Sequence, residues 1–267
     1  MPACYTHKKT GAFVYHKLSA DTRRLIQRYL PYYLIGLHGP DILFYHPVPG
    51  EPQVAEFGRK LHHEGFRGFF ENAKIVLQNS EDDRQLVYFY GYLCHLFSDH
   101  KIHAVLPDMY REAGVTHEKM EAELDRNLLL EDGHDPVTYP VAAHLTISRE
   151  TAHAIAPFYL GVDERQVLAS ITTMKAAFTA SRRKSHWYRE AVSEVMAFAG
   201  HEKKIPSMIM TRDTSEACQA AMPKLRALLD EAVTEAVEAI EEVTKYIYSD
   251  EKMPNYIAFC LDGENVN

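Results

Sequence analysis

The chain has 267 residues, and 46% of them are hydrophobic, which is enough to bury the core of one large domain or of two small ones. Its formal net charge of −8 argues against a broad basic face for nucleic acid, because such a face neutralises phosphates with Lys and Arg. Four scattered cysteines without a C-x-x-C spacing favour reduced thiols in an intracellular protein. We recognise no signal peptide and no apolar run long enough to span a membrane, so we expect a cytoplasmic location.

The first predicted helix covers residues 19–37. Ser19 or Asp21 can serve as its N-cap, and Pro31 is expected to bend or interrupt it. Residues 38–52 contain four prolines and two glycines, which predicts a loop.

The next helical patterns run over residues 54–77 and 84–105. Ser80 or Asp82 can cap the second of them. This second helix is expected to end before Pro107.

The remaining sequence is also helical. A loop and a helix are predicted over 111–133, with Thr116 as N-cap and Gly133 as the terminating residue. Helical patterns continue over 163–200 and 214–249. We find no alternating run typical of a strand, no repeat and no low-complexity linker. The sequence therefore predicts an all-α, compact multi-helix bundle that forms a single domain.

One predicted helix contains the segment YGYLCHLFSDHKIHAV, in which His95, Asp99 and His103 recur at four-residue intervals. Residues four apart lie on the same face of a helix, so these three side chains project from one side. A single His-x3-Asp pair is usually a hydrogen-bonded or surface pair. In an aromatic, apolar segment, however, unpaired imidazole and carboxylate groups are costly to bury.

A second pair with the same spacing follows, formed by His117 and Glu121. A short loop separates the two helices, so they are expected to be antiparallel neighbours whose polar pairs face each other. Imidazole and carboxylate are the ligands that Zn²⁺ uses when no thiolate is available. A ferritin-like di-iron site would need Glu-x-x-His pairs instead. The two pairs together predict a metal site in the bundle.

The full pattern His95-x3-Asp99-x3-His103-x13-His117-x3-Glu121 resembles that of the zinc-dependent phospholipase C family, which shares its fold with the S1–P1 nucleases. The resemblance implies a compact all-α domain in which a cluster of zinc ions hydrolyses phosphate esters.

The resemblance extends toward the N-terminus. The segment GLHGPD is similar to the family's loop that carries an Asp ligand, here Asp41. The segment GRKLHHEGF is similar to that of the next His ligand, for which we choose His62 over His63 because the family pattern has Gly, three residues and then His. His63 is expected either to face the other way or to support the site from outside it. His7 matches an early His of the family.

The resemblance implies two to three Zn²⁺ ions and, as a candidate general base, Asp41. The implied ligands are Asp41, His62, His95 and Asp99 for the first ion, His103, His117 and Glu121 for the second, and His7 and Asp99 for the third. Asp125, four residues after Glu121, is expected to hold a ligating His through the second ring nitrogen of that His.

The N-terminus departs from the family pattern. Secreted members bind the third zinc with an N-terminal Trp, whereas the one Trp of this chain is Trp187. Removal of Met1 would leave Pro2 as the first residue, with four residues between it and His7. We therefore predict that the nitrogen of Pro2 completes the third site.

These observations predict a zinc-dependent phosphoesterase with a small phosphoester or a phospholipid as its substrate. The resemblance covers a metal-ligand half, residues 1–135, and leaves residues 136–267 as helices that complete the domain. The alternative is a metal-binding helical protein in which zinc has a structural or sensing role with little or no catalysis. The sequence does not indicate the substrate or the oligomeric state.

Overall fold

The computed structural model describes residues 4–47, 51–80, 82–181, 210, 213–249 and 254–263. Within these ranges the chain forms helices and no β-strand, which confirms the predicted all-α class. The α-helices are α1 (Cys4–Lys17), α2 (Ala20–Arg28), α3 (Leu30–Gly36), α4 (Asp41–Phe44), α5 (Pro52–His63), α6 (Arg67–Ser80), α7 (Asp83–His103), α8 (Leu106–Glu112), α9 (His117–Glu131), α10 (Arg149–Ile155), α11 (Glu164–Ser181), α12 (Glu216–Gln219) and α13 (Met222–Tyr248). Two 3-10 turns, Ala156–Phe158 and Asn255–Ala258, accompany them in the described ranges.

Helix α7 lies at the centre of the fold. It has 21 residues and is buried around nearly its whole circumference, although one face carries polar side chains. It packs against α1, α3 and α13. The side chain of Asp82 caps its first turn by accepting a hydrogen bond from the backbone N–H of Arg84 at 2.9 Å. Polar side chains in the middle of this helix, including His95 and Asp99, therefore lie in the core.

Two glycines allow α3 and α7 to cross at very close range. A Cβ atom added at Gly36 would lie 2.2 Å from the carbonyl oxygen of Tyr88, and one at Gly91 would lie 2.3 Å from that of Tyr33. The turn after α3 continues this close approach, since a Cβ at Gly39 would lie 2.3 Å from the ring of His95. The crossing therefore brings the α3–α4 turn against the polar face of α7.

The predicted helix ends agree with the structure where a capping residue defines them. Ser19 caps α2 and Thr116 caps α9, each by accepting a hydrogen bond from a backbone N–H. Gly133 follows α9 with a φ of 74°, the left-handed conformation that glycine adopts without strain. The chain breaks between α2 and α3, with Pro31 in the first turn of α3.

Other predicted boundaries were wrong. The segment 38–52 contains the one-turn helix α4, and α1 and α8 lie where no helix was predicted. The predicted helix over 54–77 is divided into α5 and α6, because Glu64 adopts an extended conformation. The backbone N–H of Phe66 then bonds to the carbonyl of Phe259 at 2.7 Å, a long-range contact that no local pattern indicates.

The C-terminal segment 254–263 packs across the ends of α5 and α7. The backbone N–H of Asp262 donates to the carbonyl of His62 at 3.2 Å. Gly263 has a φ of 85°, and a Cβ atom there would lie 2.1 Å from the nitrogen of Ala104. This segment therefore contacts the two helices that carry several of the predicted ligands.

Among the described residues, none of the helices is long and apolar enough to cross a membrane. The part of the 163–200 pattern after α11 lies outside the described residues. The organisation as one domain over the whole chain stays a prediction.

Candidate metal centre

The predicted ligands come together in two groups. In each group, one possible ligand atom per residue lies within 4.8 Å of the others. The first group is Asp41, His62, His95 and Asp99, and all four are buried. The second is His103, His117 and Glu121, of which Glu121 is buried and the two histidines are partly exposed.

The helix ends and the central helix explain how these groups form. Asp41 is the first residue of α4, and its N–H donates to the carbonyl of His38 at 3.0 Å. His62 lies in the last turn of α5, where it faces Asp41. The remaining residues of the two groups project from α7 and from the first two turns of α9.

The neutral form of His62 would present an unprotonated nitrogen to Asp41. Its Nδ1 lies 2.8 Å from the carbonyl oxygen of Gly58, and since a carbonyl can only accept, Nδ1 carries the proton. In neutral His62 the other nitrogen, Nε2, has a lone pair, and it lies 2.9 Å from Oδ1 of Asp41. Two acceptors at this distance repel each other unless a proton or a cation lies between them. The donor set therefore fits a metal ion.

His95 gives the clearest indication of metal binding in the first group. Its side chain is fully buried, yet neither ring nitrogen makes a hydrogen bond with any described residue. Its Nε2 lies 3.3 Å from Oδ2 of Asp99. A buried polar group without a partner destabilises a fold by about 1–3 kcal/mol, so such groups call for an explanation. A metal ion bound to an imidazole nitrogen of His95 supplies one.

The second group converges on a single carboxylate oxygen. Nε2 of His103 lies 3.2 Å, and Nε2 of His117 3.0 Å, from Oε1 of Glu121. Nδ1 of His103 donates to the carbonyl of Leu261 at 2.8 Å, so in the neutral ring Nε2 is the nitrogen with the lone pair. The side chain of His117 is 35% exposed, so this group forms the more open part of the centre among the described residues.

His7 lies beside both groups. Its Nε2 is 3.4 Å from Oδ1 of Asp99, the oxygen that does not face His95. The hydroxyl of Ser98 donates to the carbonyl of His95 at 3.0 Å, so it accepts from Nδ1–H of His7 at 3.2 Å. Asp99 thus lies between two imidazoles, one on each oxygen. Pro2, the predicted N-terminal ligand, lies outside the described residues.

Asp125 supports helix α1. Its carboxylate accepts hydrogen bonds from the backbone N–H groups of Tyr5 and Thr6 at 3.0 and 2.7 Å, and from the Thr6 hydroxyl at 2.6 Å. It therefore caps the first turn of the helix that carries His7. The expected contact of Asp125 with a ligating His stays a prediction.

His62 and His63 point in different directions, as consecutive positions on a helix do. The side chain of His63 is 73% exposed and pairs with Asp262 at the surface. The structure thus locates His62 in the first group and the side chain of His63 at the protein surface, which agrees with the expectation that His63 faces the other way.

Burial and neighbouring charges shift the pKa values of the first group. Burial holds the pKa of His95 well below its usual range and lowers that of His7 to about 4. Burial, together with the charge of Asp41, raises the pKa of Asp99. Burial also opposes ionisation of Asp41, but the close contact with the His62 ring and the nearby His95 hold the pKa of Asp41 well below its usual range. A bound cation would favour the charged form of both carboxylates.

Sequence reasoning missed the groups that orient the ligands. The carbonyls of Gly58 and Leu261 belong to the backbone, so no residue type marks them. Ser98 lies one position before Asp99 and showed no recognisable pattern. A cluster formed by Cys4, His38 and His144 was also missed, because its members are far apart in the sequence.

The fold and the two groups define an all-α protein whose buried His, Asp and Glu residues could hold metal. A family model described as zinc dependent phospholipase C matches residues 6–188, which is more than half of the chain. The chain therefore belongs to the zinc-dependent phospholipase C family. No curated protein and no solved structure gave a match.

Proposed function

We propose that this protein is a zinc-dependent phosphoesterase that hydrolyses a phosphodiester bond in the manner of a phospholipase C. The observation that carries the proposal is the buried His95, whose ring nitrogens make no hydrogen bond with the described residues although three other potential ligands surround it. Membership in a zinc-dependent family supports the identity of the metal.

We assign the ligands as the sequence pattern implies. The first ion is held by Asp41, His62, His95 and Asp99, the second by His103, His117 and Glu121, and the third by His7 and Asp99. The close approach of Asp99 to both His7 and His95 supports its role as a ligand shared by two ions.

Zinc bound here would lower the pKa of bound water toward about 7 and neutralise charge on the phosphate oxygens. The residues of the chain provide the geometry for that chemistry. Asp41 accepts the proton of the attacking water on a carboxylate oxygen, as a general base. The Gly58 and Leu261 carbonyls fix the ring orientation of His62 and His103, which keeps Nε2 of each ring directed at the centre.

The substrate is a phosphodiester of modest size. The family points to a phospholipid, and a small soluble phosphoester fits the same chemistry. The side chain of His117, which is 35% exposed, marks the side from which the substrate phosphate approaches. The net charge of −8 disfavours a long nucleic acid.

The third ion depends on the N-terminus. If Pro2 nitrogen is its ligand, protein with an authentic N-terminus should bind more zinc than protein with an N-terminal extension. Elemental analysis of the two preparations measures this difference. Equal third-site occupancy in both would exclude Pro2 as a ligand.

The function is tested with variants of the first group. Asp99→Ala and His95→Ala should each lose zinc and at least about 100-fold in turnover of a chromogenic phosphodiester and of a phosphatidylcholine substrate. His153→Ala, which removes an exposed histidine paired with Glu164, is the matched control and should retain both. Normal turnover by metal-depleted Asp99→Ala protein would refute the mechanism. Zinc binding without turnover on any ester would favour the structural or sensing role.

A further inference from the structure

A second kind of cluster lies close to the proposed centre. It consists of Cys4, His38 and His144, whose possible ligand atoms lie within 4.8 Å of one another. The Nε2 atoms of the two histidines are 2.8 Å apart, and their rings are stacked with centroids 5.1 Å apart. We propose that these three residues form a further zinc site that uses one thiolate and two imidazoles, separate from the ligands assigned above.

A hydrogen bond from one imidazole to the other would account for the distance between the two nitrogens. The buried thiol of Cys4 lies beside them and donates to the carbonyl of Val141 at 3.6 Å, a weak bond that a metal–thiolate bond would replace. Zn–N distances of about 2.0–2.1 Å in a tetrahedral site place two ligating nitrogens roughly 3.4 Å apart. The two rings therefore need to separate by only about half an ångström to hold an ion between them.

The three residues come from segments that are distant in sequence. Cys4 begins α1, His38 lies in the turn between α3 and α4, and His144 lies in the loop that follows α9. Cys4 is nearly one helical turn before His7, and His38 is three residues before Asp41. The same two segments thus supply both sites, and an ion held here would fix α1 against the α3–α4 turn.

The donor set indicates the class of metal. A thiolate with two imidazoles suits Zn²⁺ and, in the laboratory, Co²⁺, whereas Mg²⁺ and Ca²⁺ take oxygen ligands. Binding converts the Cys4 thiol to a metal-bound thiolate and releases one proton to solvent. Three protein ligands leave a fourth position for a water molecule. The predicted role is to hold helix α1, and with it His7, in position.

Cobalt gives a readout specific to this site. Cys4 is the single thiol in the three groups found among the described residues, so a thiolate-to-cobalt absorption band reports on this cluster alone. Addition of Co²⁺ to the metal-free full-length chain should produce that band. Cys4→Ser should abolish it, and Cys218→Ser, which removes another buried thiol, should leave it unchanged.

His144→Gln provides a second test that keeps the thiol. We expect this variant to need at least about tenfold more Co²⁺ than the unmodified chain to form the cobalt–thiolate band. Its helix content, measured by circular dichroism, should be unchanged. Absence of the band in the unmodified chain, or its persistence in folded Cys4→Ser protein, overturns the proposal. If Cys4→Ser protein does not fold, the His144→Gln result decides. The proposal is then overturned if His144→Gln forms the band at the same Co²⁺ concentration as the unmodified chain. None of these readouts depends on phosphoesterase activity.

Discussion

His62 and His103 each donate one ring N–H to a fixed backbone carbonyl, and each thereby turns its other nitrogen toward a carboxylate. His7 does the same through the hydroxyl of Ser98. Such partners set the tautomer of a ligating histidine and raise its affinity for metal. The i, i+4 spacing on α7 and α9 predicted which residues meet there. That spacing could not predict the oxygens that accept from these rings, because two are backbone carbonyls and the third is the hydroxyl of Ser98, which belongs to no recognisable motif.

At the residue scale, His62 and His63 form a natural pair for comparison. His62→Ala should release zinc from the first group and reduce turnover by at least about 100-fold, because it removes a ligand. His63→Ala should leave zinc content and turnover within about twofold, because its side chain is exposed. Elemental analysis and a phosphodiesterase assay measure both. Greater zinc loss in His63→Ala than in His62→Ala would show that the ligand was wrongly chosen.

A second residue-scale prediction concerns Asp82, the N-cap of α7. The guanidinium of Arg84 holds the pKa of Asp82 below its usual range, and burial opposes this shift only in part. A lowered folded-state pKa stabilises the fold above the unfolded-state value of about 3.9, and this contribution is lost as pH falls through the folded-state value. Asp82→Asn keeps an acceptor oxygen but not the charge, so it should be less stable by about 0.5–1 kcal/mol at neutral pH.

Urea unfolding of the metal-free unmodified protein and of metal-free Asp82→Asn protein tests this account of Asp82. The difference in free energy of unfolding should shrink as the pH is lowered from about 7 to about 3. Asp83→Asn, one position later, serves as a control for general charge effects. A difference that stays constant over this range would contradict the assigned pKa direction.

At the scale of elements, α7 is the structural basis of the centre. Its aromatic sequence correctly predicted a helix with polar residues on one face, and its capping residue was one of the two predicted. The division between α5 and α6 was not predictable, since it depends on an extended Glu64 and on a hydrogen bond to Phe259, nearly 200 positions away. Short helices such as α4 and α8 were missed for a related reason. With only one or two turns, they show too little periodicity, and they depend on tertiary packing.

The close crossing of α3 and α7 gives the prediction at this scale. Gly36→Ala and Gly91→Ala should each destabilise the protein by about 1–3 kcal/mol, because the added methyl group meets backbone atoms that cannot move independently. Gly68→Ala in α6 is the matched control. Apart from its chain neighbours and the backbone of its own helix, no atom of the described residues lies within 4 Å of the Cβ position at Gly68, so this change should be neutral or slightly stabilising.

Thermal or urea unfolding of the three variants checks the crossing. Zinc content should fall in Gly36→Ala and Gly91→Ala, because the turn after α3 carries Asp41. If Gly91→Ala were as stable as Gly68→Ala, the two helices would not cross as closely as described.

At the scale of the whole molecule, the centre joins segments that lie far apart in the chain. Its residues come from α1, α4, α5, α7 and α9, and the C-terminal segment supplies the carbonyl that orients His103. A metal ion bound by these residues would therefore link most of the fold. The sequence predicted ligands in the first half of the chain but gave no sign that Leu261 contacts one of them, because that contact depends on the tertiary path of the C-terminal segment.

Metal removal should accordingly lower global stability. A ligand that binds only the folded state adds about 4 kcal/mol when present at about 1,000 times its dissociation constant. We expect a chelator to lower the melting temperature of the unmodified protein by several degrees and that of Asp99→Ala much less, because the variant already lacks the cluster. Equal shifts in both proteins would mean that the chelator acts elsewhere.

The most direct test of the proposed function is a zinc titration of the metal-free, full-length chain in which bound zinc and phosphodiester turnover are measured on the same samples. The account predicts negligible turnover without zinc and a rise in turnover as the cluster fills. Undiminished turnover in the metal-free chain, or none on phosphatidylcholine and a small chromogenic phosphodiester at full zinc occupancy, would contradict it.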